Sequence, residues 1–493
     1  MESSSPQSKP DPSAIGDMPA GEFRRAMHRV ADMVADYLEN VRDYPVLPKV
    51  APGDVRSALP AGPPALAEPI DTILDDYKRI IEPNITHWNH PGFMAYFAVT
   101  GSGPGILGEA LSAGLNLNAM LWRTAPAATE LEELVCDWLR QMIGLPPAFV
   151  GHINDTASVS SLVSLAAARH RLGGWNIRQR GMAGRPDLPP LVIYASEHAH
   201  SSIEKAAITL GIGLDNVRHI PADDAFRMRP DALAEAIARD RAAGRMPMAV
   251  VATVGTTSTT SIDPLPPIVE ICRRENLWLH VDAAYAGSAA ICPEYRAWME
   301  GIEQADSIVL NPHKWLCVPV DCSVLLVRDP KQLRDAFSLV PEYLRTSEAG
   351  VTNLMDYGVQ LGRRFRALKV WLVIRTFGVQ GLQARIRGHC AMAQELAGYV
   401  KESPDFELCA PVPFSTVCFR AVPAGSPEDQ DRFNEHLLAD INAAGPVFLS
   451  HTRLRGRYVL RACIGNLRAR PEDVPQTWKL IRRCADRLLE RTG

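Results

Sequence analysis

Apolar residues near the start of the chain recur at helical spacing. Met27, Val30, Met33, Val34 and Tyr37 fall three or four positions apart within 24–41 and predict an amphipathic helix. Positions 44–69 lose that period and are rich in proline, including Pro60 and the pair Pro63-Pro64, so they predict an extended arm. Over 129–142, Leu131, Leu134, Val135, Trp138, Leu139 and Met142 form one apolar stripe, and Thr129 and Glu132 have capping-box spacing. Short apolar runs at 191–195, 248–253, 277–281, 307–310 and 323–327 then alternate with helical stretches. Runs without polar alternation predict strands buried on both faces, hence a mostly parallel sheet covered by helices. Helical pattern at 364–376, strand-like segments at 415–419 and 458–462 and a closing helix at 474–489 predict a smaller C-terminal α+β domain. The predicted division is a flexible tail over 1–21, a helical arm and dimerisation segment over 22–100, a large α/β domain over 101–370 and a small domain over 371–493. No internal repeat is present.

Composition changes this picture little. The 493 residues are 46% hydrophobic and 22% charged, ordinary for a globular protein with more than one domain. A net charge of -4 with no basic face argues against nucleic acid as a partner. No apolar run is long enough to span a bilayer, and the Ser/Pro-rich start lacks the apolar stretch of a signal peptide. The ten cysteines show no Cys-x-x-Cys and no spacing suited to zinc, so no metal is expected. Most, such as Cys322 and Cys418, lie in apolar runs and are expected to be reduced core residues in a cytoplasmic protein.

The candidate chemistry begins with a decoy. Gly103-Pro104-Gly105-Ile106-Leu107-Gly108 matches a dinucleotide-binding pattern, with a possible strand at 94–99 before it. The acidic residue such a site needs would be Glu130, which falls inside the next helix, so a Gly-rich turn before a helix is the preferred reading. The strongest signal is Asn311-Pro312-His313-Lys314-Trp315, directly after the run 307–310. A lysine there is costly to bury unless it has a partner or a covalent task. Condensation of its amine with the aldehyde of pyridoxal 5′-phosphate (PLP) is such a task. Asp282, in Leu279-His280-Val281-Asp282-Ala283-Ala284-Tyr285, ends a strand where open α/β sheets bind ligands. Its charge would keep a pyridine nitrogen protonated, though a helix N-cap is an equally good reading in isolation. Asn154-Asp155-Thr156-Ala157-Ser158 precedes a helical stretch, 162–170, and offers an anion site for a phosphate. Thr253-Val254-Gly255-Thr256-Thr257 adds hydroxyls at the same sheet edge, and His200 could stack on a flat ring.

Together these segments resemble the group II PLP-dependent decarboxylases, and most closely the aromatic L-amino acid decarboxylases. NPHKW, HVDAAYAGSA, HSSIEKA, VATVGTTST, ATELE and LGRRFR occur in the family's order from about Phe23 to the C-terminal helix. The resemblance implies fold type I, like aspartate aminotransferase, with PLP in the large domain. It implies Lys314 as the Schiff-base lysine, Asp282 as partner of the pyridine nitrogen, Ala284 near the ring and His200 stacked on it. Ala157, Ser158, Thr257, Asn311 and His313 are implied to hold phosphate or ring. Leu361 and Gly362 would reach the phosphate of a second subunit, implying a homodimer with shared sites. Tyr343 would sit on a mobile loop and protonate Cα. Trp88, Tyr96, Phe97, Val99, Asn118 and Met120 are implied to face the substrate.

The implied reaction is decarboxylation of an aromatic L-amino acid to its amine. Alternatives are a smaller or more polar substrate, or oxidative release of an aldehyde. A non-catalytic PLP protein and a nicotinamide enzyme are less well supported. Departures from the family pattern bear on the substrate: Val99 replaces a threonine, Asn118 and Met120 replace apolar Ile and Phe, Arg123 replaces a small residue, and the segment 343–362 is shorter. Gly362, where some relatives have serine, leaves room for a large ring.

Overall fold

The computed structural model describes residues 16–339 and 350–492. They divide into two compact units, one ending at His90 and the other beginning at Pro91.

In the first unit the amphipathic pattern becomes the helix Ala20–Glu39. It begins inside the segment read as a tail. Arg29 ties it to the helix Ile70–Asp76 through Asp71, at 2.6 Å, and through Asp75. Most of the proline-rich arm has no regular structure beyond the short helix Asp54–Ala58. Tyr37 and Tyr44 pack on His87, with the Tyr37 hydroxyl 3.1 Å from His87 Nδ1.

The second unit holds two sheets. The larger has strands β1 (Val150–Asn154), β2 (Leu191–Ser196), β3 (Val217–Ile220), β4 (Met246–Thr253), β5 (Trp278–Asp282), β6 (Ser307–Leu310) and β7 (Ser323–Val327). Their order is β1-β7-β6-β5-β4-β2-β3, and only β7 runs antiparallel to its neighbours. Every residue of β2, β5, β6 and β7 is buried, as expected of strands covered on both faces. The smaller sheet, all antiparallel, has strands β8 (Phe406–Leu408), β9 (Thr416–Ala421), β10 (Ser450–Leu454) and β11 (Arg457–Cys463), ordered β10-β11-β9-β8. Helices Pro427–Ala443 and Asp473–Thr492 share its apolar core. This is the α/β arrangement of fold type I, a mostly parallel sheet with a smaller C-terminal α+β part. Residues 370 and 371 lie inside the helix Ala367–Glu402, which breaks at Gly378, where φ is 62°.

Three local expectations are corrected. The helix over 129–142 starts earlier, as Pro126–Met142. Thr129 therefore lies inside it, its hydroxyl donating to the Ala125 carbonyl (3.0 Å), and is no cap. Segment 94–99 forms no strand; Tyr96 turns it with φ 51°. The glycines of the dinucleotide-like pattern make no turn but lie within the helix Gly103–Leu115. A Cβ at Gly105 would stand 2.3 Å from Pro319 Cδ, and one at Gly108 2.6 Å from Lys369 Cα. Their lack of side chains serves close packing.

Two polar devices set the frame around the sheet. His280 on β5 lies 3.2 Å from Ser161 Oγ and 2.9 Å from Ser307 Oγ, and Trp278 Nε1 donates to Ser164 and Ser307, both at 3.0 Å. These bonds seat the helix Ala157–Arg171 on β5 and β6. The LGRRFR segment is a set of ion pairs. Arg363 bonds buried Glu132 and the Ile153 carbonyl (2.9 Å), Arg364 bonds Glu109 (2.7 Å) and Arg366 bonds Asp321 (2.7 Å).

Candidate active site

Thr253 ends β4 opposite Asp282, which ends β5, and Asn311 follows β6. Ligands of open α/β sheets bind at such carboxyl ends. The chain passes from β6 through Asn311 into one helical turn, Pro312–Trp315, and Lys314 rides on that turn. Burial lowers the basicity of its amine, and the Asp282 charge opposes that shift. An amine held this way spends more time as the nucleophilic free base. Asp282 is buried and accepts a hydrogen bond from Ala284 N–H at 3.1 Å.

His200 stands on the turn between β2 and the helix Ser202–Thr209. Ser202 N–H donates to its Nδ1 at 3.1 Å, which leaves the ring proton on Nε2. Burial lowers its pKa, opposed by Asp282. Lys314 and Asp282 both act on His200 electrostatically, so the three groups share one site. His313 is pushed down to about 4 by burial; its Nδ1 accepts from Cys322 N–H (2.9 Å) and its Nε2 is 3.4 Å from Asn311 Nδ2.

The helix Ala157–Arg171 presents Ala157 and Ser158 at its start. Val159 and Ser160 N–H both bond the Thr156 carbonyl at 3.1 Å, whereas Ala157 and Ser158 N–H have no acceptor among the described residues. That is a helix start prepared for an anion. Thr257 is exposed on the turn after β4, which is stiffened by hydroxyl bonds from Thr259 to Thr256 (3.0 Å) and to Ser261 (2.7 Å).

Asn118, Met120, Leu361 and Gly362 form a second cluster. Asn118 Oδ1 accepts from Arg363 N–H (2.9 Å), and its Nδ2 reaches Met120 Sδ (3.4 Å). Asn118 thus has a holding task within its own chain. A Cβ on Gly362 would meet nothing closer than Asn118 Nδ2 at 3.9 Å, so the glycine leaves open space. Arg123 is exposed and Val99 half-buried. Trp88 lies in the first unit and is exposed. Tyr343 lies outside the described residues.

Sequence reasoning missed Arg461 on β11. It is 3% exposed, donates to the carbonyls of Ser258 (3.0 Å) and Tyr96 (2.5 Å), and stands near Lys314. Its Nη2 is buried without a partner. The signal was present: an arginine inside the apolar run 458–462 is costly unless it has partners or a task. The donor set as a whole fits PLP: an amine for the aldehyde, a buried carboxylate for the ring nitrogen and free N–H groups for the phosphate.

The buried histidines give a pH dependence. His152 is pushed down to about 3, and His280, His313 and His389 to about 4, in each case chiefly by burial. In the unfolded chain they protonate near ~6.5. Between these limits the unfolded state binds more protons, so stability rises with pH and is lost as pH falls from about 6.5 toward 4, by roughly 1–3 kcal/mol per histidine. The urea midpoint should therefore drop markedly between about pH 7 and pH 5. An unchanged midpoint would show that these rings are protonated in the folded state.

A family model described as the pyridoxal-dependent decarboxylase conserved domain matches residues 52–422. Tyrosine decarboxylase 4 of Petroselinum crispum is 43% identical over 485 residues, covering 95% of this chain and 94% of that protein. Phenylacetaldehyde synthase of Arabidopsis thaliana is 40% identical over 486 residues, covering 96% and 98%. The crystal structure of Catharanthus roseus tryptophan decarboxylase in complex with L-tryptophan superposes with a TM-score of 0.90 at 40% identity, covering 96% of this chain and all of that one.

Proposed function

Given that the chain belongs to the pyridoxal-dependent decarboxylase family, we propose that this PLP-dependent carboxy-lyase converts an aromatic L-amino acid to its amine and CO2. The observation that carries the reading is the pairing of a low-basicity Lys314 amine with buried Asp282 at the carboxyl edge of the sheet, beside Arg461, whose Nη2 has no partner. PLP, when bound, supplies an electron sink for the bond to be broken. Lys314 would supply the amine that holds it, and Asp282 the negative charge that keeps its ring nitrogen protonated. Ala157 and Ser158 N–H, with the Thr257 hydroxyl, would hold the phosphate, and Asn311, His313 and Ala284 would bound the ring. Arg461 Nη2 offers one charge-assisted hydrogen bond to the substrate α-carboxylate, which fixes the direction of the scissile bond. His200, whose Nδ1 accepts from Ser202 N–H and whose Nε2 carries the proton, would face the ring and could pass a proton to the substrate. Tyr343 is assigned the role of proton donor to the substrate. Tyr96, Phe97 and Val99 are assigned to the side-chain pocket, and the open space at Gly362 suits an aromatic ring.

A second reading, oxidative release of an aldehyde, is favoured by the likeness to phenylacetaldehyde synthase. A panel of amino acids, with CO2, amine, aldehyde and oxygen uptake all measured, separates them. Amine in equal yield with CO2 and no oxygen uptake supports the first; aldehyde, ammonia and peroxide support the second.

The enzyme is assigned as a homodimer with shared sites. Leu107, Leu111 and Leu115 lie on one face of the helix Gly103–Leu115 and are 64%, 56% and 61% exposed. Such a ridge is costly in water and suits a second copy. Ser112 Oγ on the same helix donates to the Phe365 carbonyl (3.4 Å), and Leu361, earlier in that segment, is 48% exposed. Light scattering should give a dimer, and Leu111→Glu should give monomers that lose PLP. An active monomer would contradict shared sites. No helix among the described residues is long and apolar enough to cross a membrane. The ten cysteines are all buried and free, which supports a cytoplasmic setting.

A further inference from the structure

Phe97 carries more than a pocket wall requires. Tyr285 covers one face of its ring, with centroids 3.9 Å apart and 13° between planes. Trp315 stacks behind Tyr285 at 4.5 Å and 8°, and His389 lies beside the indole edge nearly in its plane, with centroids 6.5 Å apart and 11° between planes. The column is pinned along its side. The Tyr285 hydroxyl is 2.5 Å from Ser415 Oγ, Trp315 Nε1 donates to His389 Nδ1 (2.9 Å), and His389 Nε2 donates to the Asn466 carbonyl (3.0 Å).

The other face of Phe97 meets two cations. Lys314 Nζ is 5.1 Å from the ring centroid and the Arg461 guanidinium 5.0 Å. Arg461 is held by two carbonyls, so it stays. Lys314 is the one with a task that requires movement. In the role of the cofactor's lysine, its amine would be bonded at rest and would have to be released and regained in every turnover. A free lysine on a four-carbon stem has many rotamers, and it must return to the same atom in every turnover. The negative face of an aromatic ring gives an ammonium one defined place to wait.

We propose that Phe97 is a positioning residue for Lys314, its open face holding the ε-ammonium whenever the lysine is not bonded to the cofactor. The proposal rests on the reading of Lys314 as the cofactor's lysine. Asp282 from β5, Arg461 and Cys463 from β11, His200 from the turn after β2 and His313 beside it also act on this amine. None of these residues is replaced in a position-97 variant, and Arg461, which shares the ring face, keeps its two carbonyl partners there.

The test uses the full-length chain stripped of PLP, so it does not depend on turnover. Competitive acylation with acetic anhydride across pH, followed by peptide mass spectrometry, reads the protonation of Lys314 against exposed Lys331 as reference. Phe97→Met keeps the volume and removes the ring; a ring-fluorinated phenylalanine at 97 keeps the shape and weakens the negative face. In both, the Lys314 titration should move down, and its reactivity at neutral pH should rise about three- to ten-fold. Phe97→Tyr should stay within about two-fold of wild type. A Lys314 titration that Phe97→Met leaves in place overturns the proposal, as does an effect of Phe97→Met that fluorination fails to reproduce, since that is packing. Borohydride mapping of the holoenzyme tests the lysine assignment separately.

Discussion

Lys314→Ala is expected to abolish covalent attachment of PLP and to cut decarboxylation by more than ~10³-fold. That lies in the upper part of the ~10²–10⁴ range for one positioned acid–base group, because attachment and proton handling are lost together. Burial on the turn Pro312–Trp315 lowers the basicity of the amine, and no other lysine among the described residues lies on that turn. Lys369 is also buried, but its ammonium is held by Glu109 and by the Pro319 carbonyl (2.9 Å). The visible absorption of the bound cofactor should vanish in the variant. In wild type, borohydride reduction and peptide mapping should place the label on Lys314 alone. Label on another lysine would move the site elsewhere.

Asp282→Asn should keep the fold and the cofactor while lowering turnover by ~10²–10⁴. The amide oxygen of asparagine can still accept from Ala284 N–H, as the carboxylate does at 3.1 Å, so the end of β5 need not rearrange. What disappears is the negative charge that keeps a ring nitrogen protonated. The loss should therefore appear in kcat, with PLP still seen in the visible spectrum. Turnover near wild type in a PLP-loaded variant would refute the role of Asp282 as the charge that keeps the ring nitrogen protonated.

The strands that were legible in the sequence and those that were not differ in burial. β6 and β7 match their apolar runs to the residue, and β2, β4, β5, β9 and β11 to within a few residues, because strands covered on both faces are written as continuous apolar runs. The four strands without such a signal, β1, β3, β8 and β10, are the four edges of the two sheets. Edges are half-solvated and carry polar residues, as in Val217-Arg218-His219-Ile220 and Ser450-His451-Thr452-Arg453-Leu454. Thr129 and Glu132 show the opposite failure. Their spacing matches a local cap, yet Glu132 is buried against Arg363, a pairing no short window contains. In the candidate site, Lys314, Asp282 and His200 were marked by motifs and stand together. Arg461 and the stack of Phe97 on Tyr285 were not, because what they do is defined by partners distant in the chain.

Gly105 changes how sequence variants of this protein should be graded. Glycine to alanine inside a helix counts as mild by chemical similarity, and helix propensity even favours it. Here the added methyl would press on Pro319 Cδ at 2.3 Å, in the loop that leaves Lys314 and whose carbonyl anchors Lys369. Distance along the chain would file such a variant as remote and benign. Its lesion would fall on the loop that leaves the lysine turn.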